Sequence, residues 1–381
     1  MSREIAERAA RHGRFAIDTE FVSERRYQAL LCLAQVAVPD PDADDGVRTD
    51  VLDPLNGLDP APLAAALADP EVEVVMHAGR QDVAILRRSW DTDVRNVFDT
   101  QVAAGFLGLG SQESYESLVR KVLKVRLSGG EGFTRWDRRP LSEKQLEYAR
   151  DDARMLLSLG EELERRLDER GRLEWAREEC RALEAASDER DPTRIYERLP
   201  RLGRLGDEQR AVARELVEWR EETASGMDRP AGFVVPDQAL VEIARRLPQS
   251  QDDLDHVRGL PPQTLHRRGD RLLHVVERGR RREAPPPPPD PPSRDSRDAP
   301  VVAMAQALVR TRAQGSGVAV DLIATQADLA ALVGALRRGR DAADVRVTQG
   351  WRRELVGEEL IELLAGRLSL RVRDGRVEVA E

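Results

Sequence analysis

Apolar and polar positions along the first 165 residues change period several times. "RFAID" (14–18) and "LLCLAQVAV" (30–38) are continuous apolar runs of strand length joined by a longish turn. "VRTDVLD" (47–53) follows the acidic, Pro-containing loop "PDPDADDG" and predicts a third strand. "PLAAALA" then predicts a short helix, "VEVVMH" (72–77) a strand, residues 79–88 a helix and "VRNVFD" (94–99) a further strand, with helices to about Glu184. Three early strands on short connections, followed by strands separated by helices, predict a mixed sheet flanked by helices.

From about 205 to 280 the period is helical throughout. "EQRAVARELVEWREETA" sets Ala211, Leu216 and Trp219 at helical spacing, "PDQALVEIARRL" opens on a Pro-Asp start signal, and "QTLHRRGDRLLHVVERG" ends in glycine. "APPPPPDPPSRDSRDAP" (284–300) can bury nothing and predicts a polyproline-rich linker. Residues 301–381 form another small helical unit, closing on the alternating "LSLRVRDGRVEVAE", whose centre is a hairpin signal.

At 381 residues the chain exceeds one ordinary core, so two or three domains are expected. Cys32 and Cys180 cannot make a disulfide framework, which points to reduced thiols in the cytoplasm. "MSREIAERAARHG" lacks the apolar centre of a signal peptide, and no apolar run approaches membrane-spanning length. A net charge of −9 argues against a partner held by bulk charge, so a nucleic acid would need local arginine patches or metal ions. "RWDRRP" (135–140), "LHRRGDR" (265–271) and "ERGRRRE" (277–283) offer arginines, although a solvated surface explains any one run.

The candidate chemistry lies in acids attached to apolar strands. Asp18 and Glu20 follow "FAI" at once, and residues two apart in an extended chain share a face. Asp69-Pro70-Glu71 has the same spacing but follows an alanine-rich helix and contains proline, so a solvated turn explains it. Asp82 stands in "VVMHAGRQDVAIL", in the first turns of a helix after a strand. Asp152 lies four residues after Tyr148 in "LEYARDDARMLLSL", which puts both on one helix face. Of the four tyrosines, only Tyr148 has an acid at that offset, and this spacing favours Asp152 over the adjacent Asp151. Carboxylates gathered without a His/Cys set suit Mg²⁺ or Mn²⁺, whose charge would offset their repulsion. Two such ions can promote phosphodiester hydrolysis, and substrate phosphates would complete their coordination. His77, the nearest histidine, reads as a structural residue or substrate contact rather than a ligand.

"DTEF", "MHAGRQD" and "YARDD", in that order, resemble the DEDD superfamily of 3′→5′ exonucleases, in the subgroup with tyrosine in the third motif, and most closely the ribonuclease D family. The motifs run over most of residues 14–165. Residues 205–280 are similar to an HRDC domain, a helical nucleic-acid-binding module. Residues 301–381, through "GVAVDLIATQADLAALV" and "GWRRELVGEEL", are similar to a more divergent second one. The resemblance implies an α/β ribonuclease-H-like catalytic domain with a mixed sheet, followed by two all-α, HRDC-like helical domains. The division is then an exonuclease domain at 1–195, an HRDC domain at 205–282, a Pro-rich linker at 283–300 and a C-terminal HRDC-like domain at 301–381.

By the same resemblance, Asp18, Glu20 and Asp152 hold the metal carrying the attacking water, with Asp18 bridging to a second metal served by Asp82. Tyr148 orients that water, while Phe21, packing on terminal bases, and His77 contact the substrate. The product is a nucleoside 5′-monophosphate. The implied partner is RNA with a free 3′ end, such as tRNA precursors and small structured RNAs, acted on by a monomer. Only 13 residues precede Arg14, where family members usually carry a short strand and a longer helix, so either the sheet edge is trimmed or the true start lies upstream. If the helical domains only hold RNA, removing 205–381 should weaken binding more than it slows the chemical step.

Three alternatives compete: a DNA exonuclease acting in repair, a non-catalytic RNA-binding scaffold, and an ordinary α/β protein with surface acids. The HRDC resemblance does not separate RNA from DNA, because RecQ helicases carry that module too. No G-x-x-x-x-G-K-[ST] loop is present, which excludes helicase action by that motif.

Overall fold

The computed structural model describes residues 1–127, 134–287 and 297–380, so most of the predicted linker lies outside the described residues. Five strands form one sheet in the order β3-β2-β1-β4-β5: β1 (Arg14–Val22), β2 (Leu30–Pro39), β3 (Val47–Leu52), β4 (Glu73–Met76) and β5 (Val97–Asp99). β2 and β3 are antiparallel, with Ala34 opposite Leu52. β1 pairs in parallel with β4 (Ala16 opposite Val75), and β4 with β5 (Val75 opposite Phe98). The sheet is mixed, as the pattern predicts. The strands at its centre read as unbroken apolar runs because both faces are covered.

Two boundaries differ from the sequence expectation. β1 does not stop at the acids but runs through Val22, because Phe21 and Val22 extend its apolar character. Asp18 and Glu20 therefore sit inside a strand. The strand expected over 94–99 shortens to Val97–Asp99, since Asn96 turns the backbone to φ 51°.

The helices of this part are α1 (Ser2–His12), α2 (Ala61–Ala68), α3 (Arg80–Trp90), α4 (Thr100–Phe106), α5 (Tyr115–Val122), α6 (Glu143–Arg154), α7 (Leu156–Asp168) and α8 (Leu173–Glu184). Packing divides the chain into two compact units. One comprises Met1–Glu20, Leu31–Ser187 and Pro292–Glu381; the other comprises Phe21–Leu30 and Asp188–Pro291.

In the first unit, the last 80 or so residues share a core with the sheet domain. They fold as α15 (Asp298–Ser316), α16 (Val320–Ile323), α17 (Gln326–Arg337), α18 (Gly350–Arg352), α19 (Glu358–Leu364) and the expected terminal hairpin, β6 (Ser369–Arg373) with β7 (Arg376–Ala380). Ala16, Val75, Phe98, Phe106 and Leu159 belong to the same buried cluster as Leu308, Leu332 and Trp351. Trp351 is fully buried, edge-on to Phe106 (centroids 4.7 Å apart) and stacked on Trp175 (5.8 Å). Its Nε1 donates to Glu179 (3.3 Å), which also accepts from Arg352 (2.6 Å) and Arg346 (2.9 Å). Gly108 lies at φ +73°, and a Cβ there would come 2.5 Å from the Gly317 carbonyl oxygen, so only glycine permits this backbone approach.

The second unit contains α9 (Pro192–Glu197), α10 (Asp207–Gly226), α11 (Ala231–Val234), α12 (Asp237–Arg246), α13 (Gln251–Asp255) and α14 (Pro262–Arg280). Leu216, Trp219, Leu240, Ile243, Leu272 and Val276 form its core. Tyr27, from the short Phe21–Leu30 segment, packs on that core and donates its hydroxyl to Glu221 (3.1 Å). Among the described residues no single helix is long and apolar enough to cross a membrane.

Candidate active site

Asp18 and Glu20 stand two apart on β1, in line with Ala16, which belongs to the core beneath the α7 side of the sheet. α6 brings the third acid. Its start is fixed by a capping box: Ser142 Oγ accepts from Gln145 N (3.3 Å), and Gln145 Oε1 accepts from Ser142 N (2.9 Å). Tyr148 and Asp152 then follow one turn apart, and the Tyr148 hydroxyl hydrogen bonds to the Asp152 carboxylate. Carboxylate oxygens of Asp18, Glu20 and Asp152 all lie within 4.8 Å of one another. Trp136, buried, packs against Tyr148 with ring centroids 6.2 Å apart.

Asp82 is buried in the first turn of α3 and accepts a hydrogen bond from the Thr19 hydroxyl. It stands outside the close trio, yet its charge reaches both Asp18 and Glu20. The turn that delivers α3 is held from β5. Asp99 accepts from Ala78 N (3.1 Å) and Gly79 N (2.8 Å) while also capping α4. These bonds hold Ala78 at φ 52°, a left-handed backbone that a non-glycine residue adopts at a cost.

His77, at the end of β4, shares a hydrogen bond with Thr100 Oγ1 (3.0 Å) and tilts against Tyr115 (5.7 Å between centroids), so it lies apart from the close carboxylate trio. Burial lowers its pKa, which keeps the ring neutral. Phe21 follows Glu20 directly on β1 and is half-buried.

Sequence reasoning missed Thr19, Asp99, Tyr115 and Trp136. Thr19 was visible as the middle residue of "DTEF", but only the fold puts its hydroxyl on Asp82. Tyr115 donates to the Asp151 carbonyl (3.4 Å) on α6, and its pKa is pushed well up by burial and then by Asp152 and Asp18. No spacing signal marks it, since its partners are on other elements.

The electrostatics single this group out. Burial, followed by the charges of Asp152 and Asp82, raises Glu20 to about 8. Burial raises Asp152 to about 7 against the opposing bond from Tyr148, and Asp82 to about 6 against the bond from Thr19. Asp18 is raised well above the carboxylate range by burial and by all three neighbours. Tyr148 is pushed upward by burial and the adjacent carboxylates, so its hydroxyl stays protonated. None of the leading causes of these four shifts is a lysine or an arginine. A half-buried, desolvated all-oxygen donor set fits a hard divalent cation.

Comparisons with known proteins agree with this geometry. Residues 1–168 match a family described as 3′-5′ exonuclease, and residues 209–276 match the HRDC domain. Ribonuclease D of Nitrobacter hamburgensis is 34% identical over 376 residues, covering 98% of this chain and 95% of that protein. Ribonuclease D of Jannaschia sp. is 35% identical over 381 residues, covering 98% and 96%. The crystal structure of Escherichia coli RNase D, an exoribonuclease involved in structured RNA processing, superposes with a TM-score of 0.83 at 27% identity over 96% of each chain. Identity of 34–35% over nearly the full length of two ribonucleases D, joined to a half-buried carboxylate cluster inside a matching fold, places this chain in the ribonuclease D family of 3′→5′ exoribonucleases.

Proposed function

We propose that Asp18, Glu20 and Asp152 hold one divalent ion and that Asp82, with Asp18, holds a second, Mg²⁺ or Mn²⁺ in either position. The single observation that carries this is the trio of half-buried carboxylates whose oxygens lie within 4.8 Å of each other, all driven above their ordinary pKa. Metal bound there would lower the pKa of a water and neutralise charge on the phosphodiester. Thr19 and Tyr148 hold Asp82 and Asp152 in place through their hydroxyls. Tyr148, kept protonated, orients the attacking water at the 3′-terminal phosphodiester. Hydrolysis in this direction releases nucleoside 5′-monophosphates.

Phe21 packs on the terminal bases. His77, whose ring is tied to Thr100 and to the Glu113 backbone, completes the proposed substrate contacts. The substrates are RNAs with free 3′ ends, tRNA precursors and other small structured RNAs in the cytoplasm, acted on by a monomer. Residues 205–282 and 301–381 act as the helical modules of that enzyme.

Digestion of matched 5′-labelled single-stranded RNA and DNA, with Mg²⁺, Mn²⁺ or chelator, tests the reading. A metal-dependent ladder shortening RNA from its 3′ end is expected. A ladder of equal strength on DNA would favour the repair reading, and binding without a ladder would favour the scaffold.

A further inference from the structure

Residues 143–168 are helical on either side of Met155, where α6 gives way to α7. The two halves serve different strands. α6 packs on β3 and α7 on β4, and β1 with its acids lies between those strands in the sheet. Asp152 stands in the last turn of α6, just before the break. In an unbroken helix the Met155 N–H would close on the Asp151 carbonyl four residues back. Here the Tyr115 hydroxyl takes both groups. It donates to the Asp151 carbonyl (3.4 Å), and its oxygen accepts from the Met155 N–H, which also faces the Ala153 carbonyl. A side chain inserted into the ladder in this way interrupts a helix.

Tyr115 is itself held from several sides. It is the first residue of α5, whose start Ser114 caps by accepting from Ser117 N (3.3 Å). Two residues earlier, the Glu113 carbonyl accepts from Gln101 Nε2 (3.1 Å) and from the His77 ring, and that ring tilts against Tyr115. Thr100 completes the support by bonding His77 Nδ1 (3.0 Å) and donating to the Met76 carbonyl (3.0 Å). Burial, then the charges of Asp152 and Asp18, push the Tyr115 pKa well up, so the hydroxyl keeps the proton that it donates.

We propose that Tyr115 is a positioning residue: its hydroxyl, inserted between Asp151 and Met155, keeps α6 and α7 apart and so sets where Asp152 points among the carboxylates. Without the hydroxyl, the Asp151 carbonyl and the Met155 N–H are free to pair with each other. α6 and α7 would then run on as one helix, and Asp152 would turn away from Asp18 and Glu20. Tyr115 thus acts through Asp152 and not on the substrate. The inference rests on the metal-site reading and adds what orients the third carboxylate of the trio.

The test uses the full chain with Tyr115→Phe, which removes the hydroxyl and keeps the ring against His77. Calorimetric titration with Mg²⁺ alone, well below the thermal midpoint, should show affinity weakened roughly tenfold. At saturating Mg²⁺, kcat on a short RNA should fall roughly tenfold with KM unchanged. The midpoint in chelator should move by under about 2 °C, because the freed carbonyl and amide satisfy each other. A crystal structure of the variant should place Met155 N about 3 Å from the Asp151 carbonyl oxygen. Normal Mg²⁺ affinity and kcat would overturn the assignment, whatever the midpoint does, since only a structural role would remain. A rise in KM with kcat kept would overturn it too, making Tyr115 a substrate contact. If the unaltered chain neither binds Mg²⁺ nor shortens RNA, the metal-site reading fails by itself. The variant's crystal structure still decides the inserted hydroxyl: a closed ladder supports it, and an unchanged break overturns it.

Discussion

Replacing Trp351 with alanine should unfold the exonuclease unit at a much lower temperature, although Trp351 lies about 200 residues in sequence from Asp152, the nearest carboxylate of the acidic site. The indole is fully buried between Phe106, on the helix after β5, and Trp175 on α8. A buried indole removes some 150–250 Å² from water, worth about 4–6 kcal/mol at ~25 cal/mol per Å². Cavity data for aromatic-to-alanine changes give about 3–5 kcal/mol. Arg352, whose guanidinium lies 4.4 Å from the indole, would also lose a packing surface. Taking about 4 kcal/mol, and roughly 2–4 °C per kcal/mol for a unit of this size, the midpoint should fall by roughly 10 °C. Differential scanning calorimetry on the full chain, with RNA hydrolysis followed across the same temperatures, reads both effects. A fall of under about 2 °C, or a chain truncated before α15 that melts and cleaves like the intact protein, would refute the shared core. The shared core also changes what removal of 205–381 would do. That deletion strips residues from under the sheet, so it should damage the chemical step through stability as well as binding.

Tyr148→Phe should lower kcat roughly a hundredfold with little change in KM, because the hydroxyl that bonds Asp152 is lost while the ring stays against Trp136; steady-state kinetics on a short RNA checks this. Stability without metal should depend on pH through the same acids. Their folded pKa values are raised, so their contribution is fully present below about pH 4 and lost as pH rises through about 6–8. Melting in chelator should therefore occur at a lower temperature at pH 8 than at pH 5.5. Mg²⁺ should remove most of that difference, and a midpoint independent of pH in chelator would contradict the desolvated cluster.

Much of this protein was legible in its chain, for reasons that can be named. The central strands could be read because burial on both faces demands unbroken apolar runs. Tyr148 and Asp152 could be read because a helix turns local spacing into a shared face. What was hidden depends on contacts between distant segments. Thr19 reaching Asp82, Asp99 holding the turn before α3, and Tyr115 reaching α6 have no period or offset to betray them. The extension of β1 through Glu20 was obscured because charged residues usually end an apolar strand, and these are kept inside it by their chemistry. The grouping of residues 297–380 with the sheet domain was hidden for a further reason: helical periodicity shows that a face is buried but not against what.

The central claim is that the clustered carboxylates hold the metal that supports 3′-end hydrolysis, and Asp18→Asn tests it most directly. The variant should fold, with a midpoint in chelator equal to or above that of the unaltered chain, because a carboxyl whose ionisation is opposed by desolvation and three acidic neighbours is gone. Calorimetric titration with Mg²⁺ should show weakened binding, and shortening of RNA from its 3′ end should stop. A folded Asp18→Asn protein that binds Mg²⁺ normally and still shortens RNA would contradict the account.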